Sequence, residues 1–279
     1  MAALQFTFFL LLLFISMATQ IPPSSSETEA AKQSLVKFME NLSGGSTFPT
    51  RRFGWNMTSD PCNWLGVECD DSQSVVSISL SWFRFAGTLN AAESLCTVVK
   101  SITVLSLPNN TISGGIPDSL GSCTGLRILN LGNNRLTGSM PDSILRLPNL
   151  TGLVISDNEI SGEVPDGRPS LRHFLAENNR LSGRIPEFDF RAMDWFNVSN
   201  NEFGGPIPVG AGSSGFGADC FAGNPGLCGQ PVSSSCPPPA SSSAPSASLG
   251  LTGLGLGMVM VMVSCSLGIS LVSPPVFSF

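Results

Sequence analysis

The chain has 279 residues, a formal net charge of −6 and a pI near 4.7. That balance argues against a nucleic-acid ligand, which calls for a basic face. One histidine, His173, excludes most histidine-based acid–base or metal schemes, so the chain reads as non-enzymatic, with no cofactor and no metal.

Residues 1–18 read as a secretory signal. An apolar core runs from 6 to 15, and Ser16 and Ala18 put small residues at the −3 and −1 places of a cut. Ten apolar residues are too few to span a bilayer. Segment 19–73 then holds an expected helix and a cysteine loop. Ser26 and Glu29 are spaced as a capping box, Ala31, Leu35, Phe38, Met39 and Leu42 follow helical spacing, and Gly44 and Gly45 end the segment. After a secretion signal, Cys62 and Cys69 read as a disulfide of about 2–3 kcal/mol. Asp60, Asp70 and Asp71 read as solvated loop residues.

Segment 74–209 is a row of near-copies. LRILNLGNNRLTGSMP (126–141), LTGLVISDNEISGEVP (150–165) and LRHFLAENNRLSGRIP (171–186) share the frame L-x-x-L-x-L-x-x-N-x-L-x-G-x-I-P. The Asn recurs at Asn110, Asn134, Asn158, Asn179 and Asn201, 21 to 24 residues apart, which is the leucine-rich-repeat period. The expected fold is an α/β solenoid of about six repeats, stacked so that each covers its neighbour's apolar face. The N-terminal helix and the Cys62–Cys69 loop are expected to close its open end.

In each L-x-L the two apolar residues share one side of a strand. Leu105 and Leu107, Leu129 and Leu131, Leu153 and Ile155, and Phe196 and Val198 are expected to point inward. Each Asn is expected to satisfy backbone groups of its turn. Gly114, Gly138, Gly162, Gly183 and Gly205 permit the bend that follows. A degenerate first unit puts Phe83 in the Asn slot, so its turn must be satisfied differently. Cys96 and Cys123 fall in leucine-like phases; packing is the preferred reading and pairing the alternative.

The outward positions between the leucines are the candidate ligand-binding surface, expected to be concave. They include an apolar band of Val104, Ile128, Val154 and Leu175, with Trp82 and Trp195 at its ends, and His173 and Glu177. Six strands at about 4.8 Å give room for seven to nine residues of extended peptide. Exposed aromatics on a rigid scaffold make favoured anchors. Glycosylation sequons fall at Asn41, Asn56, Asn109, Asn149 and Asn197, and a glycan on Asn197 would crowd Trp195. The glycine-rich stretch 210–217 lacks a lysine and a following helix, so it reads as a loop rather than a phosphate cradle.

Trp55 with the run Asp60-Pro61-Cys62-Asn63-Trp64-Leu65-Gly66-Val67-Glu68-Cys69, followed by L-x-G-x-I-P repeats, resembles the ectodomain of plant leucine-rich-repeat receptor-like kinases. The likeness is greatest to the short-ectodomain group that includes pollen receptor-like kinases and inactive receptor kinases, and covers residues 27–236. It implies a right-handed superhelix with disulfide-linked caps. It also implies an extracellular module that binds a secreted peptide or a partner receptor ectodomain and signals through a kinase-bearing co-receptor. Segment 210–236 resembles that family's C-terminal cap, which implies a Cys228–Cys236 bond; a Cys220–Cys228 bond is the open alternative. Some peptide receptors of the family hold a C-terminal carboxylate with paired arginines, and no such pair stands on the outward positions here.

Segment 237–248 is a Pro/Ser/Ala linker. Segment 249–272 holds 24 uncharged, mostly apolar residues, about 36 Å as a helix. It reads as a transmembrane helix or, with no Lys or Arg after Arg191, as an anchor-signal tail. Residues 273–279 are a short tail without room for a kinase. The expected location is the plasma membrane, with the repeats outside the cell. Rival readings are an inhibitor of a wall-degrading enzyme, or a decoy competing with a full-length receptor kinase.

Overall fold

The computed structural model describes residues 25–45, 53–167, 170–213 and 215–237. The signal at 1–18, the apolar segment 249–272, the tail and nearly all of the linker lie outside these residues. No helix among the described residues is long and apolar enough to cross a membrane.

The first helix is Ser25–Leu42, so Ser26 falls inside its first turn rather than ahead of it. Leu35, Phe38, Met39 and Leu42 are buried on one face. Gly44 and Gly45 take left-handed φ values of +66° and +81°, which a side chain would resist. The first repeat docks on this helix end: Gly87 N–H donates to the Leu42 carbonyl (2.8 Å) and Thr88 N–H to that of Asn41 (3.0 Å). A Cβ on Gly87 would overlap the Asn41 carbonyl. In the cysteine loop Trp55 and Trp64 are buried with ring centroids 5.1 Å apart, and the Trp55 indole donates to the Leu65 carbonyl (3.0 Å). Asp60 and Asp70 are exposed, as expected, yet each accepts backbone N–H groups and pins a turn.

Seven strands form one sheet in the chain order Val67–Cys69, Val75–Ser79, Val104–Ser106, Ile128–Asn130, Gly152–Val154, His173–Leu175 and Trp195–Asn197. The first pair is antiparallel and the rest are parallel, one strand per repeat. A second, six-stranded sheet along the flank carries the residues that follow each Asn, and Gly226–Cys228 extends it. Short helices at Ala92–Val98 and Asp142–Leu145 and a 3-10 turn at Asp118–Ser122 cover a third side. The predicted inward leucines are all buried between these layers. Farther along the chain Phe188 and Phe190 fill that space, Phe188 tilted against Phe174 and Phe190 edge-on to Phe196, each at 5.1 Å.

The Asn residues staple one repeat to the one before. Asn158 Oδ1 accepts from Leu136 N–H (2.9 Å). Its Nδ2 donates to Leu131 across the interface (3.0 Å) and to Ile155 and Ser156 in its own turn. Asn134, Asn179 and Asn201 repeat the pattern. The turn left open by Phe83 is filled the same way: Asn110 Oδ1 takes both Phe83 N–H (3.1 Å) and Phe85 N–H (3.2 Å). The series has a further member, Asn224, bonded to Phe203 N–H and the Val198 carbonyl.

Cys62–Cys69 and Cys228–Cys236 are bonded, and Cys220 is not the partner of Cys228. The packing reading for Cys96 and Cys123 is corrected, because the two are bonded to each other. Cys96 lies on the Ala92–Val98 helix and Cys123 closes the Asp118–Ser122 turn of the next repeat. Stacking brings their Cα atoms to 4.6 Å, within disulfide range.

Candidate functional site: the open face of the long sheet

Parallel register sorts the outward side chains into rows. One row is Ser77, Val104, Ile128, Gly152, His173 and Trp195, and the next is Ser79, Ser106, Asn130, Val154, Leu175 and Asn197. The expected band therefore needs correction. Val104 and Ile128 stand in the first row and Val154 and Leu175 in the second, so the apolar lane crosses the sheet obliquely. Trp195 ends the first row. Trp82 stands three residues beyond the last row-forming residue of its strand, off the band.

The crossing happens at Gly152, the one first-row position with no side chain. A Cβ there would reach Ile128 at 3.6 Å and His173 Nδ1 at 3.7 Å, so these two side chains flank a narrow notch. Val104, Ile128, Val154, His173, Leu175 and Trp195 are all half-buried, while Trp82 is 72% exposed. Trp82 adopts φ +66°, an outlier for a bulky side chain. It is in phase with Asn109, Asn133, Asp157, Asn178 and Asn200, which share that left-handed conformation (φ +51° to +57°). Their side chains link along the edge: Asn133 to Asn109 (2.7 Å), Asn178 to Asp157 (2.7 Å) and Asn200 to Asn178 (2.8 Å).

At the entry end of the strands Arg172 donates to both oxygens of Asp194 (2.6 and 3.0 Å), and His173 Nε2 lies 3.6 Å from the same carboxylate. The Arg172 hydrogen bond holds the Asp194 pKa below the usual carboxylate range, and burial lowers that of His173, which favours neutral imidazole. At the other end, Glu177 falls in a third row between Ser156 and Ser199, as the bonds Asn133 N–H to Ser156, Asp157 N–H to Glu177 and Asn178 N–H to Ser199 show. Burial raises its pKa to about 7, opposed by a hydrogen bond to its own backbone and helped by the charge of Asp157. Among the described residues no group of three or more metal-ligating side chains comes together.

Of the sequons, Asn197 uses its Oδ1 to accept Ser199 N–H (2.9 Å) on the second row, and Asn109 accepts from Asn133 at the edge. Sequence reasoning missed Asp194 and the notch at Gly152. Asp194 immediately precedes its strand as Arg172 immediately precedes the neighbouring strand His173–Leu175, a charge pattern visible once the repeats are aligned.

The chain matches the family description "Leucine rich repeat N-terminal domain" over residues 30–70 and "Leucine rich repeat" over 100–160. It is 33% identical over 232 residues to pollen receptor-like kinase 1 of Arabidopsis thaliana, covering 82% of this chain and 33% of that protein. Against pollen receptor-like kinase 1 of Petunia integrifolia the figures are 29% over 229 residues, 77% and 30%. The chain thus spans about a third of the length of these curated relatives. The crystal structure of a pollen receptor kinase 3 aligns with a TM-score of 0.59 and 28% identity, covering 66% of this chain and 90% of that one. The structure of PEPR1 with AtPEP1 aligns with a TM-score of 0.53 and 29% identity, covering 67% of this chain and 27% of that one.

Proposed function

Since this chain carries a leucine-rich-repeat N-terminal domain and leucine-rich repeats, and its relatives are ectodomains of plant leucine-rich-repeat receptor-like kinases, we propose that it is an extracellular recognition module held at the membrane. It holds a secreted peptide or a partner receptor's ectodomain against the open face of the long sheet and changes no bond in it. A kinase-bearing co-receptor carries the signal onward. The observation that supports this reading most is the oblique apolar lane, Val104–Ile128–Val154–Leu175, on strands in unbroken parallel register. An extended peptide laid across such strands meets a new side-chain pair about every 4.8 Å.

The test is binding by the purified protein to partners co-purified from plant membranes, with and without phospholipase treatment. Val154→Asp and Ile128→Asp, both in the lane, are expected to weaken it at least tenfold with the melting temperature unchanged. Full affinity in both folded variants would move the site off this face.

A further inference from the structure

Glu177 is an unusual residue to find on a binding sheet. One carboxyl oxygen, Oε2, is shielded from solvent and has no hydrogen-bond partner among the described residues. A carboxylate in that position is under-solvated unless something supplies a cation or donor. The chain's own arginines nearby are occupied: Arg172 is tied to Asp194 and Arg180 to Glu159 (3.1 Å). The outward positions of the six repeat strands hold no lysine or arginine at all. From the preceding repeat Glu177 faces a second acid, Asp157, whose N–H donates to the Glu177 carbonyl (2.9 Å) and whose carboxylate accepts from Asn178 (2.7 Å). On the following repeat the residue in its row is the neutral Ser199. On its own strand the titratable neighbour is His173, two rows away.

The approach to this acid is apolar. Leu175 and its register partner Val154 stand one row before Glu177. A lysine or arginine side chain has this same order of parts, an aliphatic stem ending in a positive head. We infer that the open face selects a peptide carrying a lysine or arginine, whose stem lies on Val154 and Leu175 and whose head pairs with Glu177, assisted by Asp157. This rests on the reading that the sheet face binds a peptide, and names which one. An anionic ligand is disfavoured, because it would meet two acids and no cation. The cation would draw the Glu177 proton off, so binding tightens as pH rises through about 7 and weakens at pH 5.5.

The experiment is panning of a displayed random nonapeptide library on the immobilised full-length protein at pH 7.5. Enriched sequences are then resynthesised with lysine or norleucine at the enriched basic position. The expected result is lysine or arginine beside an apolar residue, with the lysine peptide bound at least tenfold tighter than the norleucine one. Glu177→Gln abolishes that preference and Asp157→Asn reduces it, with each variant's far-ultraviolet circular dichroism matching wild type as the folding control. Enrichment of apolar peptides without a basic residue, or a lysine preference that survives Glu177→Gln, overturns this inference and leaves the sheet face as the binding surface. Enrichment of nothing, or peptides bound equally by Val154→Asp, overturns the reading beneath it as well.

Discussion

The Asn series predicts an order of damage that a simple repeat would not. In Asn158→Ala one N–H, that of Leu136, is orphaned. The three carbonyls it served each keep another donor: Leu131 keeps Asn134, Ile155 keeps Asn179 and Ser156 keeps the Asn133 N–H. One buried unpaired N–H, with three weakened acceptors, costs about 2–3 kcal/mol. In Asn110→Ala two N–H groups, Phe83 and Phe85, are orphaned together, and the Leu80 carbonyl loses the donor Asn110 gave it at 2.8 Å. That sums to about 4–6 kcal/mol, because Phe83 stands where other repeats have their own Asn. Asn110→Ala also preserves the Asn109-x-Thr111 sequon, so glycosylation is unaltered between the two proteins. Urea unfolding followed by the fluorescence of buried Trp55 and Trp64 measures both, compared as midpoints at a shared slope. Asn110→Ala is expected to be the worse by about 2 kcal/mol. Equal losses, or the reverse order, would refute the claim that each repeat's turn is held by the Asn of the next.

Three further outcomes follow from single features. Glu177 has a folded pKa of about 7 against an ordinary 4.5, so wild type loses stability as pH rises between those values, where the unfolded chain's carboxyl has ionised and the folded one still holds its proton. Glu177→Gln should flatten that slope and gain at most about 3 kcal/mol above pH 7, seen as a difference in unfolding midpoint that vanishes below pH 4.5. Gly87→Ala forces a Cβ into the Asn41 carbonyl and should lose at least about 2 kcal/mol, by the same urea titration, whereas Gly45→Ala meets no atom and pays only for its φ of +81°. Replacing Cys96 and Cys123 together by alanine opens a 27-residue separation and should lower stability by about 2–4 kcal/mol, while peptide mapping of wild type under non-reducing conditions shows the linked pair.

What the sequence displayed and what it hid divide along a physical line. Leu129 or Leu153 is legible because a period written five times fixes which way each side chain points. The Asn turns are legible for the same reason, and even the gap at Phe83 announces that some other group must serve there. What depends on a neighbouring repeat is not written in one. Cys96 and Cys123 are 27 residues apart, off the repeat spacing, and become partners only because a helix in one unit and a 3-10 turn in the next stack at 4.6 Å. Asn224 was obscured by the glycines and cysteines of the cap around it. The oblique course of the apolar lane needs the register, which sets Gly152 beside His173. The unpaired Oε2 of Glu177 is a property of its burial among neighbouring repeats, which no single repeat spells out.

Hydroxyl-radical footprinting of the purified protein, alone and saturated with its enriched peptide, puts the central claim to its plainest test. The account predicts that Val154, Leu175 and Trp195 lose reactivity together, while side chains of the flanking sheet such as Arg135 and Glu202 keep theirs. Protection confined to the flank or to the helix Ser25–Leu42, with the long sheet as reactive as before, would contradict it.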